Sequence, residues 1–185
     1  MTLSWLPNAI TITRMVVTVP LLWLLSTNNF LPAFWLALVA GFSDGADGYL
    51  ARRYQWSSAL GGVLDPIADK LFISVCYVGL WWSGHLPGWL VALVFGRDMV
   101  IVVGGFFWWR LNGAFEAAPS LVSKFNTAVQ IGLVACVLAD LAVQPLPANF
   151  LTAMMLATAL LTATSGVDYV VRYGLRARRE HGSKR

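Results

Sequence analysis

Between Ser43 and Lys70 the chain reads SDGADGYLARRYQWSSALGGVLDPIADK, and four of its nine acidic residues, Asp44, Asp47, Asp65 and Asp69, fall inside that stretch. The surroundings are hostile to charge: of 185 residues, 58% are hydrophobic and only 12% charged, in apolar runs long enough to cross a bilayer. An ionised Asp at the centre of a membrane helix costs about 2.5–3.5 kcal/mol, so four cost about 10 kcal/mol or more unless something compensates them. Any fold open to this chain must therefore bring cations to these carboxylates.

Spacing says where the cations go. Asp44 and Asp47 are three apart and Asp65 and Asp69 four apart, so each pair shares one face of its own helix. With a chain reversal near Trp56, Asp47 and Asp65 each lie nine residues from the turn, and Asp44 and Asp69 twelve and thirteen. At about 1.5 Å per residue the two pairs are level. Four carboxylates at one depth on two facing helices suit divalent cations with oxygen ligands. Pro66 leaves two arrangements open: the third helix starts there with Asp65 as its cap, or a helix begun near Ala59 is kinked.

Six apolar spans are expected, at about residues 8–27, 30–52, 59–83, 87–110, 121–143 and 147–173, with Pro7, Pro32, Pro87 and Pro147 at or near their starts. The connections near Asn28, His85 and Pro145 hold no Lys or Arg. On the other side stand Arg52, Arg53, Arg110 and Lys124, and the tail carries Arg172, Arg176, Arg178, Arg179, Lys184 and Arg185. This asymmetry predicts an all-α polytopic membrane protein with six transmembrane helices and both termini in the cytoplasm. One membrane domain spans residues 1–175, and a basic cytoplasmic tail, 176–185, serves as an orientation signal or a binder of anionic lipid.

The same distribution argues against nucleic acid as a partner, although the net charge is +4. No Lys or Arg precedes Arg14, which is inside the first apolar run, so the start does not read as a cleaved signal peptide. Cys76 and Cys136 lack metal or redox spacing and are expected to be inert thiols. Trp81, Trp82, Trp89, Trp108 and Trp109 cluster at span ends, as interfacial anchors do.

Gly45, Gly48, Gly61 and Gly62 lie beside the carboxylates, where a missing side chain admits a helix or a bulky ligand. Arg52, one turn from Gly48, can reach a phosphate with paired hydrogen bonds. Arg14, Arg97 and Lys124 are further cations within the spans, and such residues are functional candidates by default. Lys124 suits an anion, while Arg97, beside Asp98, suits either an anion or a structural contact. No Ser-His-Asp set points to a covalent intermediate, and His85 and His181 are placed away from the carboxylates.

The stretch resembles, at every fixed position, the signature of the CDP-alcohol phosphatidyltransferase family: D-x-x-D-G-x-x-A-R, eight residues, then G-x-x-x-D-x-x-x-D. Asp44, Asp47, Gly48, Ala51, Arg52, Gly61, Asp65 and Asp69 supply the fixed letters. The resemblance implies a two-metal site in which Asp44, Asp47, Asp65 and Asp69 hold two divalent ions, Mg2+ or Mn2+, with Asp69 also the general base. It implies that Asn8, Thr11, Gly48, Arg52, Ser58 and Gly61 contact the CDP-lipid, and that the protein is a homodimer.

The segments NAITITRMV, SALGGVLDPIADKLFISVCYVGL, GRDMVIV and PSLVSKFNTAVQ are most similar to the branch of that family that joins CDP-diacylglycerol to phosphatidylglycerol, giving cardiolipin and CMP. On that likeness Lys124, with Arg97 as the weaker choice, neutralises the acceptor's phosphodiester. The location implied is the inner membrane of a bacterium in preference to a mitochondrion, with the site facing the cytoplasm. The nearest alternative acceptor is glycerol 3-phosphate. Further off stand a membrane prenyltransferase, whose Asp motifs lie on separate loops, and a divalent-cation transporter, which has no use for Gly48 and Arg52.

Overall fold

The structure is a computed structural model that describes residues 6–54, 61–112 and 120–183, with side chains over 11–43, 67–106, 110 and 120–172. Among the described residues six α-helices follow one another: α1 (Leu6–Ser26), α2 (Phe30–Tyr54), α3 (Gly61–Trp82), α4 (Gly88–Asn112), α5 (Leu121–Ala142) and α6 (Ala148–Ser183). Most ends fall within two residues of the apolar spans, because the same prolines and turn residues punctuate both. Pro7 sits in the first turn of α1, and α4 and α6 begin just after Pro87 and Pro147.

Two ends differ. Helix α3 starts at Gly61, which puts Pro66 at its sixth position, so the helix is already under way when it meets Asp65. Helix α6 continues ten residues past the expected end of the last span, from 173 to Ser183, taking in Arg176, Arg178 and Arg179. The stretch LRARRE is made of good helix formers, so loss of apolarity does not end the helix there.

The chain divides into two compact units, Met1–Pro87 with Val134–Leu146, and Gly88–Leu133 with Pro147–Arg185. In the first, α1 packs against both α2 and α3. Its buried residues Thr11, Arg14, Thr18, Leu21 and Leu25 recur at spacings of 3, 4, 3 and 4, a single stripe along one helix face. The stripe is polar toward the helix start and apolar toward its end.

Two contacts fix the register of α1 on α3. Arg14 pairs with Asp69, and Leu25 fills the notch at Gly79, where an added Cβ would stand 2.6 Å from Leu25 Cδ1. Eleven residues on α1 thus match ten on α3, and the helices run parallel. Both end alike: Asn28 and Gly84 take left-handed φ of 58° and 81°. Asn29 N–H donates to Leu24 O at 2.9 Å and His85 N–H to Leu80 O at 2.8 Å, so the last carbonyls are satisfied by the same C-terminal motif. The Phe30 and His85 rings meet edge to face at 4.9 Å, bringing the start of α2 and the end of α3 to one level.

In the second unit α4 and α6 pack together in parallel, Arg97 against Ser165 and the Tyr169 hydroxyl donating to Ile101 O at 3.0 Å. The first half of α5 runs antiparallel to α6. Its Gln130 Nε2 donates to Thr162 Oγ1 at 3.2 Å, and Thr162 Oγ1 donates to Asn126 Oδ1 at 2.9 Å. Asn126 and Thr162 are wholly buried, and the Asn126 Oδ1 and the Thr162 hydroxyl offset part of that cost by bonding one another. Ser120 caps α5, its Oγ accepting from Ser123 N–H at 3.1 Å.

Among the described residues three segments are long and apolar enough to cross a membrane: Gly88–Phe106, Leu121–Ala142 and Ala148–Arg172. Thr11–Ser26 and Phe30–Ser43 are shorter apolar helices. Many large apolar side chains point outward, Trp23, Val39, Leu156 and Leu160 among them. Lipid is the solvent such a surface calls for. Cys76 is buried and Cys136 half-buried, and both are free thiols.

Candidate active site

Helices α2 and α3 carry the acidic residues, and their common level at Phe30 and His85 sets the depth of each. Counting from Phe30 along α2, Asp44 and Asp47 lie 14 and 17 residues in, which at the rise of an α-helix is about 21 and 25 Å. Counting back from Trp82 along α3, Asp69 and Asp65 lie 13 and 17 residues in, about 20 and 25 Å. Asp44 and Asp69, and likewise Asp47 and Asp65, thus lie at matching distances along their own helices. The side chains of Asp44, Asp47 and Asp65 lie outside the described residues, as do those of Asn8, Gly48 and Arg52. Gly61 is the first residue of α3, and Ser58 lies wholly outside the described segments.

Asp69 is described in full. Its side chain is 48% exposed, and Arg14 Nη1 donates to its Oδ1 in a salt bridge across α1 and α3. Arg14 itself is only 7% exposed. A cation beside this carboxylate is thus supplied by the protein itself, from α1, a helix other than those that carry the four acidic residues. Thr11, expected at the CDP-lipid, is buried one turn before Arg14 on the same stripe.

The two acceptor candidates differ in setting. Lys124 is exposed in the first turn of α5, its backbone N–H donating to Ser120 O at 3.0 Å. Arg97 is buried, and its guanidinium is engaged: Nη1 donates to Asp98 Oδ1 at 2.8 Å, and Nη2 to Ser123 Oγ at 2.5 Å and Ser165 Oγ at 2.9 Å. Nε also donates to Ser165 Oγ, at 3.3 Å. It ties α4 to the first turns of α5 and the middle of α6.

Arg14 is the residue that the spacing of the carboxylates does not reveal. Its signal is a lone cation inside an apolar run, three residues after Thr11 and four before Thr18. Only the register of α1 on α3 tells which carboxylate it meets.

A helical chain with an apolar surface and, among the described residues, three segments long and apolar enough to cross a bilayer is an integral membrane protein. The chain belongs to the CDP-alcohol phosphatidyltransferase family, whose model matches residues 4–164. It is 32% identical over 180 residues to the cardiolipin synthases (CMP-forming) of Rattus norvegicus and Homo sapiens, an alignment covering 89% of this chain and 60% of each relative. It is also 32% identical over 190 residues to the chloroplastic CDP-diacylglycerol–glycerol-3-phosphate 3-phosphatidyltransferase 1 of Oryza sativa subsp. japonica, covering 91% of this chain and 56% of that protein. The chain thus spans about three fifths of the length of these relatives.

Proposed function

We propose that this protein transfers a phosphatidyl group from CDP-diacylglycerol to phosphatidylglycerol, giving cardiolipin and CMP. The observation that carries the proposal is the half-exposed Asp69 held by the buried Arg14 of α1, and the spacing of Asp44, Asp47, Asp65 and Asp69 along α2 and α3 supports it. Similarity to the mammalian cardiolipin synthases over 89% of the chain supports the choice of acceptor.

Membership of a family that generally depends on divalent cations supports placing two such ions, Mg2+ or Mn2+, among the four Asp side chains. The donor set fits, since hard divalent ions take carboxylate oxygens and the depth calls for positive charge. When bound, the ions neutralise the pyrophosphate and stabilise charge on the leaving CMP.

The chain's own residues do the rest. Asp69 takes the proton of the attacking phosphatidylglycerol hydroxyl as its oxygen bonds to the phosphorus bearing diacylglycerol. The P–O bond to CMP breaks in the same displacement, and CMP departs. Gly48 and Gly61 leave room for the nucleotide, while Asn8, Thr11, Arg52 and Ser58 contact the CDP portion. Lys124 meets the acceptor's phosphodiester. Arg97, already bonded to Ser123 and Ser165, braces the turn that carries Lys124.

All six helices cross the membrane in this reading, with both termini and the acidic site on the cytoplasmic side of a bacterial inner membrane, and the active form is a homodimer. The absence of Lys and Arg at the Asn28 and His85 ends supports that orientation. Incubating the purified protein with CDP-diacylglycerol and either phosphatidylglycerol or glycerol 3-phosphate, then identifying the lipid formed, tests the acceptor. Cardiolipin is expected. Consumption of glycerol 3-phosphate alone would assign the chain to the other branch.

A further inference from the structure

We infer that Arg14 is a positioning residue for Asp69, anchoring the carboxylate from a neighbouring helix so that it meets the acceptor hydroxyl in one orientation. The inference rests on the proposed transferase chemistry and adds to it a residue from α1, outside the helices that carry the four acidic residues.

The geometry carries three linked observations. First, Arg14 is held: it is 7% exposed on the buried stripe of α1, between Thr11 and Thr18, 2% and 8% exposed. A guanidinium in that setting has little freedom to swing, and its planar fork offers fixed N–H directions to a carboxylate. Second, its partner is open. Asp69 is 48% exposed, so the bond to Oδ1 ties down a carboxylate that still faces outward. An exposed Asp with no anchor would sample several side-chain rotamers, and each departure moves its oxygens by an ångström or more. Third, the anchor point is set by rigid packing, since Leu25 seated over Gly79 fixes the register of α1 on α3 eleven residues away.

A general base acts only within hydrogen-bond reach of the proton it takes. Misplacement of a reacting group by about 1 Å costs about a hundredfold in rate. A packed helix that delivers a rigid cation to one carboxylate oxygen is a means of avoiding that loss. Lys in place of Arg would keep the charge and lose the planar fork, so it would restore the orientation in part.

The test uses the full chain in detergent micelles with CDP-diacylglycerol, phosphatidylglycerol and Mg2+. Arg14→Gln is expected to lower kcat by about 30- to 100-fold, with KM for both lipids within about threefold of the parent, and Arg14→Lys is expected to recover part of kcat. A rise in either KM with kcat retained would overturn the inference, because Arg14 would then be binding a substrate phosphate. Full kcat in Arg14→Gln alongside an inactive Asp69→Asn would also overturn it, leaving the proposed reaction standing. An active Asp69→Asn would instead sink the base assignment itself.

Thermal unfolding in EDTA gives a readout free of turnover. Asp69→Asn removes the carboxylate from a buried cation, so its cost in Tm should differ from the sum expected of two independent sites when combined with Arg14→Gln. Strictly additive Tm shifts would show that the two side chains do not act as a pair. Should Arg14→Gln fail to fold, Arg14→Lys carries the kinetic test, with a tenfold lower kcat and unchanged KM expected.

Discussion

Replacing Gly79 by Ala tests the packing that sets the depth of the site. The added Cβ would lie 2.6 Å from Leu25 Cδ1, 2.8 Å from Leu25 Cβ and 3.3 Å from Leu25 Cγ. Rotation of the Leu25 side chain relieves the first contact but not the second, because Cβ is fixed to the backbone. Carbon atoms prefer about 3.5–4.0 Å, so α1 and α3 must part or slide by about an ångström. Overpacking of this kind costs about 1–3 kcal/mol, against which Gly→Ala contributes about 1 kcal/mol of helix propensity.

Gly96→Ala provides the control, since nothing lies within 4 Å of its added Cβ and the propensity gain is the same. The difference between the two variants therefore isolates the clash. In a thermal melt of purified protein, Gly79→Ala should unfold below Gly96→Ala by about 2–12 °C, taking about 2–4 °C per kcal/mol for a chain of this size. Equal melting temperatures would refute the register of α1 on α3, and with it the placement of Arg14 beside Asp69.

Three further outcomes follow from the site and its supports. Asp69→Asn should abolish CMP release while leaving the protein folded and able to bind CDP-diacylglycerol, as measured by turnover and by a pull-down on lipid vesicles. Thr162→Val should lower stability by about 0.6–1.7 kcal/mol in a mixed-micelle unfolding titration, because its hydroxyl joins Gln130 to Asn126 inside the second unit. Ser120→Ala should cost about 1 kcal/mol by the same titration, through loss of the cap on α5.

Much of the fold is legible in the sequence because apolar runs and their punctuation act locally. Pro87 and Pro147 stand at helix starts, and Asn28 and Gly84 take the left-handed turns that close α1 and α3. The matching distances of Asp44 and Asp69, and of Asp47 and Asp65, along their own helices likewise follow from helix rise alone. What could not be read depends on which faces meet. Arg14 and Asp69 are 55 residues apart, and only the seating of Leu25 at Gly79 brings them together. Arg97 looked equally suited to an anion or to structure, and its bonds to Asp98, Ser123 and Ser165 depend on how α4, α5 and α6 pack. The start of α3 ahead of Pro66 is a third case, since a proline near a helix start and one within its first turns leave the same local pattern.

The most direct test of a shared acidic site is a count of Mn2+ ions bound per chain, by electron paramagnetic resonance in the presence of CDP-diacylglycerol. Two ions are expected in the parent, and removing a carboxylate from either helix alone, Asp47→Asn on α2 or Asp65→Asn on α3, should release manganese in both cases. Undiminished binding after either substitution would mean that the two helices do not hold the ions in common, and the proposed chemistry would lose its foundation.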